Sequence, residues 1–140
     1  MNNDPVEPLT AAALGQALGN VSEEMVRARE QAGQLFSIVR PARNRGREYP
    51  AFQAWRGVAG EPLAKVLVIL RAHGGTAAYG FFTSPNTELA GLTPIEVLIA
   101  RVTHPRQLDG NAEVLLAAPN SERLDCVLGA AKAYAADLAA

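Results

Sequence analysis

The sequence is short of the residue types from which most catalytic centres are built. It holds two histidines, His73 and His104, and one cysteine, Cys126. A single cysteine excludes an internal disulfide and a thiolate metal cluster, and it points to a reducing, cytoplasmic setting. The histidines stand beside Gly74 and Pro105, far from each other and from any residue at metal-ligand spacing, so both read as solvated loop residues. Cys126 lies among apolar neighbours with no base placed to activate it, and reads as a buried small hydrophobe. Ser84 falls in Thr-Ser-Pro-Asn rather than a nucleophile elbow. The Gly74-Gly75-Thr76 run is too short for a phosphate-cradling loop and lacks its lysine. With no paired carboxylates on one helical face, these gaps predict a protein that is not an enzyme and uses no metal or cofactor.

Other shortages bound the fold. Aromatic residues make up only 6% of the chain while Ala and Leu abound, which favours helix packing over a sandwich. No apolar run approaches the ~20 residues of a membrane span. The start, MNNDPVEPLT, has neither a basic n-region nor an apolar h-region, so no signal peptide is visible. At 140 residues and 49% hydrophobic, the chain can bury one core, or two small ones sharing an interface.

The net charge of -1 conceals a strong asymmetry. Residues 1–26 carry acids and no base, whereas residues 27–56 carry Arg27, Arg29, Arg40, Arg43, Arg45, Arg47 and Arg56 against Glu30 and Glu48 only. Such a local basic patch is the footprint of phosphate contact, or of a charged, solubilising loop.

In chain order, residues 1–8 read as a loose arm. Leu9–Leu18 reads as a short helix capped by Thr10 and broken at Gly19-Asn20. A second helix follows from Val21-Ser22 to Ala32, with Glu23 and Glu24 at its positive end. Two short helices joined by a Gly-containing turn match a helix-turn-helix, in which Ser22, Arg27 and Arg29 would face DNA; any αα-hairpin gives the same pattern. Leu35–Arg40 reads as a strand, PARNRG as an arginine-rich turn and Arg47–Tyr49 as the returning strand. The combination is a wing whose Arg43, Arg45 and Arg47, with Arg40 beside them, would meet phosphate or the minor groove. Phe52 and Trp55 in the junction, residues 51–60, are spaced to cement the two halves, or alternatively to stack on bases. Gly57–Gly60 reads as a flexible link.

Residues 61–72 predict a helix that is apolar almost all round and hence buried, with a third short helix over Thr76–Thr83. Residues 103–120 hold a turn at Asp109-Gly110-Asn111, then a helix turn or strand. A last helix, 121–138, carries Leu124, Val127, Leu128, Ala131, Tyr134, Ala135 and Leu138 as one stripe. That stripe suits packing on the core, a dimer contact, or insertion into a partner's cleft.

Between them lies the most informative stretch, Phe81–Ala100. Thr93, Pro94 and Glu96 make a complete helix start: an N-cap, a proline at the first helical position and a capping-box glutamate. Leu92 and Val97 are spaced as a hydrophobic staple. Pro85 stops the preceding aromatic helix, and Gly91 can take the left-handed conformation that closes the Asn86–Ala90 turn. The helix starting at Pro94 is expected to reach about Val102. On their own these residues describe a rigid corner between helices, common in helical cores.

The pattern Phe82, Pro85, Asn86, Leu89, Gly91, Thr93, Pro94, Glu96 and Leu98 also resembles the toxin-binding domain of Xre/MbcA/ParS-type antitoxins. The likeness covers about twenty residues. It implies a helical module that pairs with a RES-type toxin through Phe82, Pro85, Asn86, Leu89, Thr93, Pro94 and Glu96, beside a domain that binds its own operator DNA. The first half resembles the short winged helix fused to this module in some antitoxin-like proteins rather than the longer Xre domain.

The expected architecture is therefore mainly α: a short winged helix-turn-helix over 9–50, two helices plus a β-hairpin, followed by a small helical interaction module over 61–140. The expected function is an antitoxin-like repressor, homodimeric or larger, with DNA and a toxin as partners. The alternatives are a stand-alone winged-helix regulator, or an interaction scaffold that binds no DNA.

Overall fold

A computed structural model describes residues 7–39 and 46–140. The elements in order are β1 (Pro8–Leu9), α1 (Ala11–Ala17), α2 (Glu23–Gln31), β2 (Ile38–Val39), β3 (Arg47–Pro50), α3 (Glu61–Leu70), α4 (Gly74–Thr83), α5 (Pro94–Ile99), α6 (Gly110–Ala117) and α7 (Asn120–Ala139), with 3₁₀ turns at Ala51–Ala54, Arg71–His73 and Thr87–Leu89. The chain is mainly helical, as its composition predicts.

Local side-chain chemistry starts the first two helices where the sequence places them. The hydroxyls of Thr10 and Ser22 accept from the amides of Ala13 and Met25, each at 3.1 Å. Each satisfies one amide that the first turn leaves without a partner. Gly15 lets α1 approach the next segment, since a Cβ there would stand 2.1 Å from the Val21 carbonyl oxygen. The Val21 amide donates to Gly15 O at 2.9 Å, so the two helices are hinged tightly.

The sheet has the order β1-β3-β2, antiparallel throughout. Ile38 pairs with Glu48 and Val39 with Arg47, as expected of the hairpin, although among the described residues β2 covers Ile38–Val39 and leaves out Leu35–Ser37. Leu35 and Phe36 instead turn into the core. The arm assigned to residues 1–8 is not loose at its end. Pro8 and Leu9 pair with Pro50 and Tyr49 on the other side of β3, and the Ala51 amide donates to Glu7 O. The tip of the hairpin, including Arg40, Arg43 and Arg45, lies outside the described residues.

One continuous hydrophobic core joins both halves of the chain. Phe36 from the N-terminal half, Phe52 from the 3₁₀ turn after β3 and Phe82 from α4 form a triangle of rings with centroids 5.1–6.2 Å apart. Phe81 extends it to Tyr134 of α7 at 5.3 Å. Such aromatic contacts add on the order of 1 kcal/mol each beyond the area they bury. Phe52 thus cements the halves as predicted, while Trp55 is only partly buried. Gln53, wholly buried, completes the joint: its side-chain amide donates to Phe36 O at 2.9 Å and accepts from Phe36 N at 2.8 Å.

The helical half departs from expectation in several places. α3 buries Leu63, Val66, Leu67 and Leu70 against α7 and α4 but leaves Val68 63% exposed, so one face rather than the whole circumference is covered. The Gly57–Gly60 link is an ordered turn: Val58 is fully buried and its carbonyl accepts from the Leu63 amide. α4 begins at Gly74 rather than Thr76, and at Gly75 a Cβ would meet Ser37 O at 2.1 Å. Residues 110–117 are helical because the Asp109 carboxylate caps them, accepting from Ala112 N at 2.8 Å. α7 starts without a side-chain cap, and its stripe packs on α3 and α5, Leu138 alone being strongly exposed. Cys126 is exposed, not buried, because it lies off that stripe. Among the described residues no helix is long and apolar enough to cross a membrane.

The closest approach between the halves gives a direct test. Gly75→Ala forces a Cβ against the Ser37 carbonyl, which is backbone and cannot swing away. The substitution is expected to destabilise the protein by about 1–3 kcal/mol, measured by urea unfolding, whereas Gly129→Ala, with open space around it, is expected to be neutral or slightly stabilising.

Candidate functional site

Two regions carry the residues singled out by the sequence: the face formed by α2 and the hairpin, and the corner between α4 and α5. On the first, three of the four described side chains expected to face DNA, Ser22, Arg27 and Arg47, are engaged with their own chain. The Ser22 hydroxyl is spent on the cap of α2. Arg27 pairs with Glu23 one turn earlier, an exposed pair of small energetic weight. Arg47 donates to Glu30 and to the Ser37 hydroxyl, each at 3.1 Å. Arg29 sits in the last turn of α2, partly exposed.

Glu30 is the organiser of this face. One oxygen accepts from the Tyr49 hydroxyl at 2.6 Å, and the other accepts from Ser37 and Arg47. The helix is therefore tied to β3 and to Ser37, the residue just before β2, through a single carboxylate. Burial, reinforced by the adjacent Glu30 carboxylate, pushes the Tyr49 hydroxyl up to about 12, so it remains a donor throughout the physiological range. Sequence reading did not find this node, because Glu30, Ser37, Arg47 and Tyr49 converge only through folding.

At the corner the capping box forms in full. Thr93 Oγ1 accepts from Glu96 N at 3.2 Å, and Glu96 Oε1 accepts from Thr93 N at 2.9 Å. The turn before it uses two left-handed residues, Ala90 and Gly91, where the sequence offers only the glycine. α5 ends at Ile99, earlier than expected, with Ala100 at φ 63° and the Arg101 amide reaching back to Glu96 O at 3.2 Å. The Ala100 amide donates to the same Glu96 carbonyl, so the helix closes on a left-handed residue without glycine.

Glu96 is fully buried and does more than cap. Its Oε2 accepts from Thr103 N at 2.9 Å, and the Arg106 guanidinium makes a two-pronged contact, both arms at 2.6 Å. Burial alone would raise this carboxyl. The Arg106 fork and the amides of Thr93 and Thr103 outweigh it and hold the group at about 2. The pair fastens the segment after α5 back onto the start of α5.

A second cation holds the other end of α5. Arg123 of α7, only 7% exposed, donates to Val97 O at 2.7 Å, Leu98 O at 2.9 Å and Ala118 O at 2.9 Å, and to the Asn120 side chain. It satisfies carbonyls that the helix C-terminus leaves open.

The corner residues therefore divide. Phe82, Leu89, Pro94 and Glu96 are buried, while Pro85, Asn86 and Thr93 retain exposure. Asn86 is itself a cap, accepting from Glu88 N at 2.8 Å. These residues build the corner largely from within, and Pro85, Asn86 and Thr93 form its open outer edge. Among the described residues no group of three or more His, Cys, Asp or Glu is placed to hold a metal. No family model, curated protein or solved structure matches the chain.

Removing the guanidinium from the corner leaves Glu96 buried without its counter-charge. Arg106→Ala is expected to lower stability by about 3 kcal/mol at neutral pH, measured by urea unfolding. The wild-type carboxyl lies below its unfolded value, so its contribution is complete above about pH 4.5 and is lost as the pH falls towards 2. In the variant, with the fork gone and burial remaining, the folded-state value moves back up towards the unfolded one, so the acid-dependent loss of stability is expected to shrink.

Proposed function

We propose that this chain is an antitoxin-like transcriptional repressor that binds its own operator DNA and neutralises a RES-type toxin. The observation that carries the reading is the Phe82–Leu98 pattern, Phe82, Pro85, Asn86, Leu89, Gly91, Thr93, Pro94, Glu96 and Leu98, together with a full capping box at its centre. Two capped helices leading into an antiparallel hairpin support the DNA-binding half. They have the order of a helix-turn-helix followed by a wing.

In this reading the hairpin arginines neutralise phosphate and position the protein, while α2 lies against the bases. Arg29 is the residue of α2 with a cation near the surface and no ion pair among the described residues. Arg27 and Arg47 reach phosphate only by exchanging Glu23 and Glu30 for it. A surface this small binds weakly alone, so a homodimer or larger assembly in the cytoplasm completes the site. Those internal ion pairs also favour a second reading, in which the protein is an interaction scaffold and the arginine-rich hairpin meets an acidic protein surface.

Co-expression with the neighbouring open reading frames, followed by affinity purification, tests the first half. A stoichiometric partner that is toxic when produced alone is the expected outcome; its absence overturns the toxin assignment. DNA binding is tested by titrating the upstream DNA at several salt concentrations. The affinity is expected to fall steeply with salt, and Arg45→Ala to lessen the slope by about 0.9, the value of one phosphate contact. A salt-insensitive or absent interaction leaves the scaffold reading.

A further inference from the structure

A wide concavity lies away from the corner. It is an open groove of about 1080 Å³ running between the N-terminal half and the far end of α5, reaching the start of α7. Its floor is made of small side chains: Ala13 and Ala17 from α1, and Ala51 and Ala54 from the 3₁₀ turn after β3. Small residues on two adjacent elements let another backbone approach closely, and Leu9, Leu98 and Ile99 add apolar wall.

The charge of the lining is one-sided. Arg56, Arg101 and Arg123 face a single acid, Glu7. Arg56 and Arg101 are exposed and make no ion pair among the described residues. Arg123 is more than nine-tenths buried, and every partner it has is neutral: three carbonyls and the Asn120 amide oxygen. A buried cation balanced only by dipoles raises the potential of the space beside it.

We propose that this groove docks an acidic, amphipathic peptide segment of a partner protein, its apolar face on the alanine floor and its carboxylates against Arg56 and Arg101. The size decides against a small anion. The groove reaches the upper end of small-molecule pockets and is open along one side, so a compact ligand would leave most of it in water. An apolar helix face with acidic flanks fills it and matches its charge. The inference deepens the partner-binding half of the proposed function and rests on it. It shifts the contact from the corner, whose motif side chains are mostly buried, to the opposite end of α5.

Trp55, the only tryptophan in the chain, lines the groove and reports its occupancy by fluorescence. The probe is a capped synthetic peptide of about 14 residues, or four helical turns, with Leu on one face and Glu on the other. Its counterpart carries Lys in place of Glu. The full-length protein is expected to show a saturable change in Trp55 emission with the acidic peptide, with Kd on the order of 10 μM at moderate salt, and none with the basic one. Arg101→Glu and Ala17→Phe, both at exposed positions, are expected to weaken binding about tenfold or more while leaving the melting curve in place. No response to the acidic peptide, equal response to both peptides, or an unchanged Kd in both variants overturns the proposal. A toxin that co-purifies undiminished with both variants also overturns it and leaves the toxin assignment standing. Acidic-peptide binding that the two variants weaken, in a protein that captures no toxin, supports the groove and overturns the toxin assignment instead.

Discussion

The contact on which the rest depends is the meeting of Phe36, Phe52 and Phe82. Each ring comes from a different part of the chain, and together they seal the N-terminal half to the helical half in one core. Around the triangle the backbone closes up without side chains in the way, at Gly75 against Ser37 and at Gly57 against Leu98. Gln53 supplies both hydrogen bonds that the Phe36 peptide groups would otherwise lack inside the core, which removes the penalty for burying them. Position of the hairpin and position of α4 are thus set by the same few contacts.

Around α5 the organisation is electrostatic. A six-residue helix is too short to hold itself together in water. Its ends are instead taken over by two arginines from elsewhere: Arg106 reaches the carboxylate at its start, and Arg123 the carbonyls at its finish. Glu96 serves both as the cap of the helix and as the anchor of the segment that follows it. The strongest motif in the sequence thus builds a corner, with Phe82, Leu89, Pro94, Glu96 and Leu98 facing inward and Pro85, Asn86 and Thr93 left towards the surface.

Much of this was legible before folding wherever the chemistry is local. Thr10 and Thr93 cap helices within three residues of themselves, and such spacing is visible in one dimension, whereas Ser22, read as facing DNA, caps α2. The hairpin and the α7 stripe were readable for the same reason, since their periods are short. Asp109 carries the same kind of signal as a cap, yet an adjacent Gly-Asn pair reads as a turn and masks it. What stayed hidden depends on pairing across long separations. Nothing near Glu96 announces Arg106, nothing near Phe36 announces Gln53, and Arg123 resembles any surface cation of a helix until α5 is laid beneath it. Val68 and Cys126 were misplaced because composition predicts how apolar a helix is but not which side finds a neighbour.

The sheet has a consequence of its own. Among the described residues both outer strands, Pro8–Leu9 and Ile38–Val39, are two residues long, and one of them opens with a proline that has no amide to offer. Such edges present too short a ladder for another chain to extend. Over the described residues the sheet therefore offers little backbone on which a second chain could stack. Along these described edges, recognition falls to side chains and helix faces rather than to shared backbone.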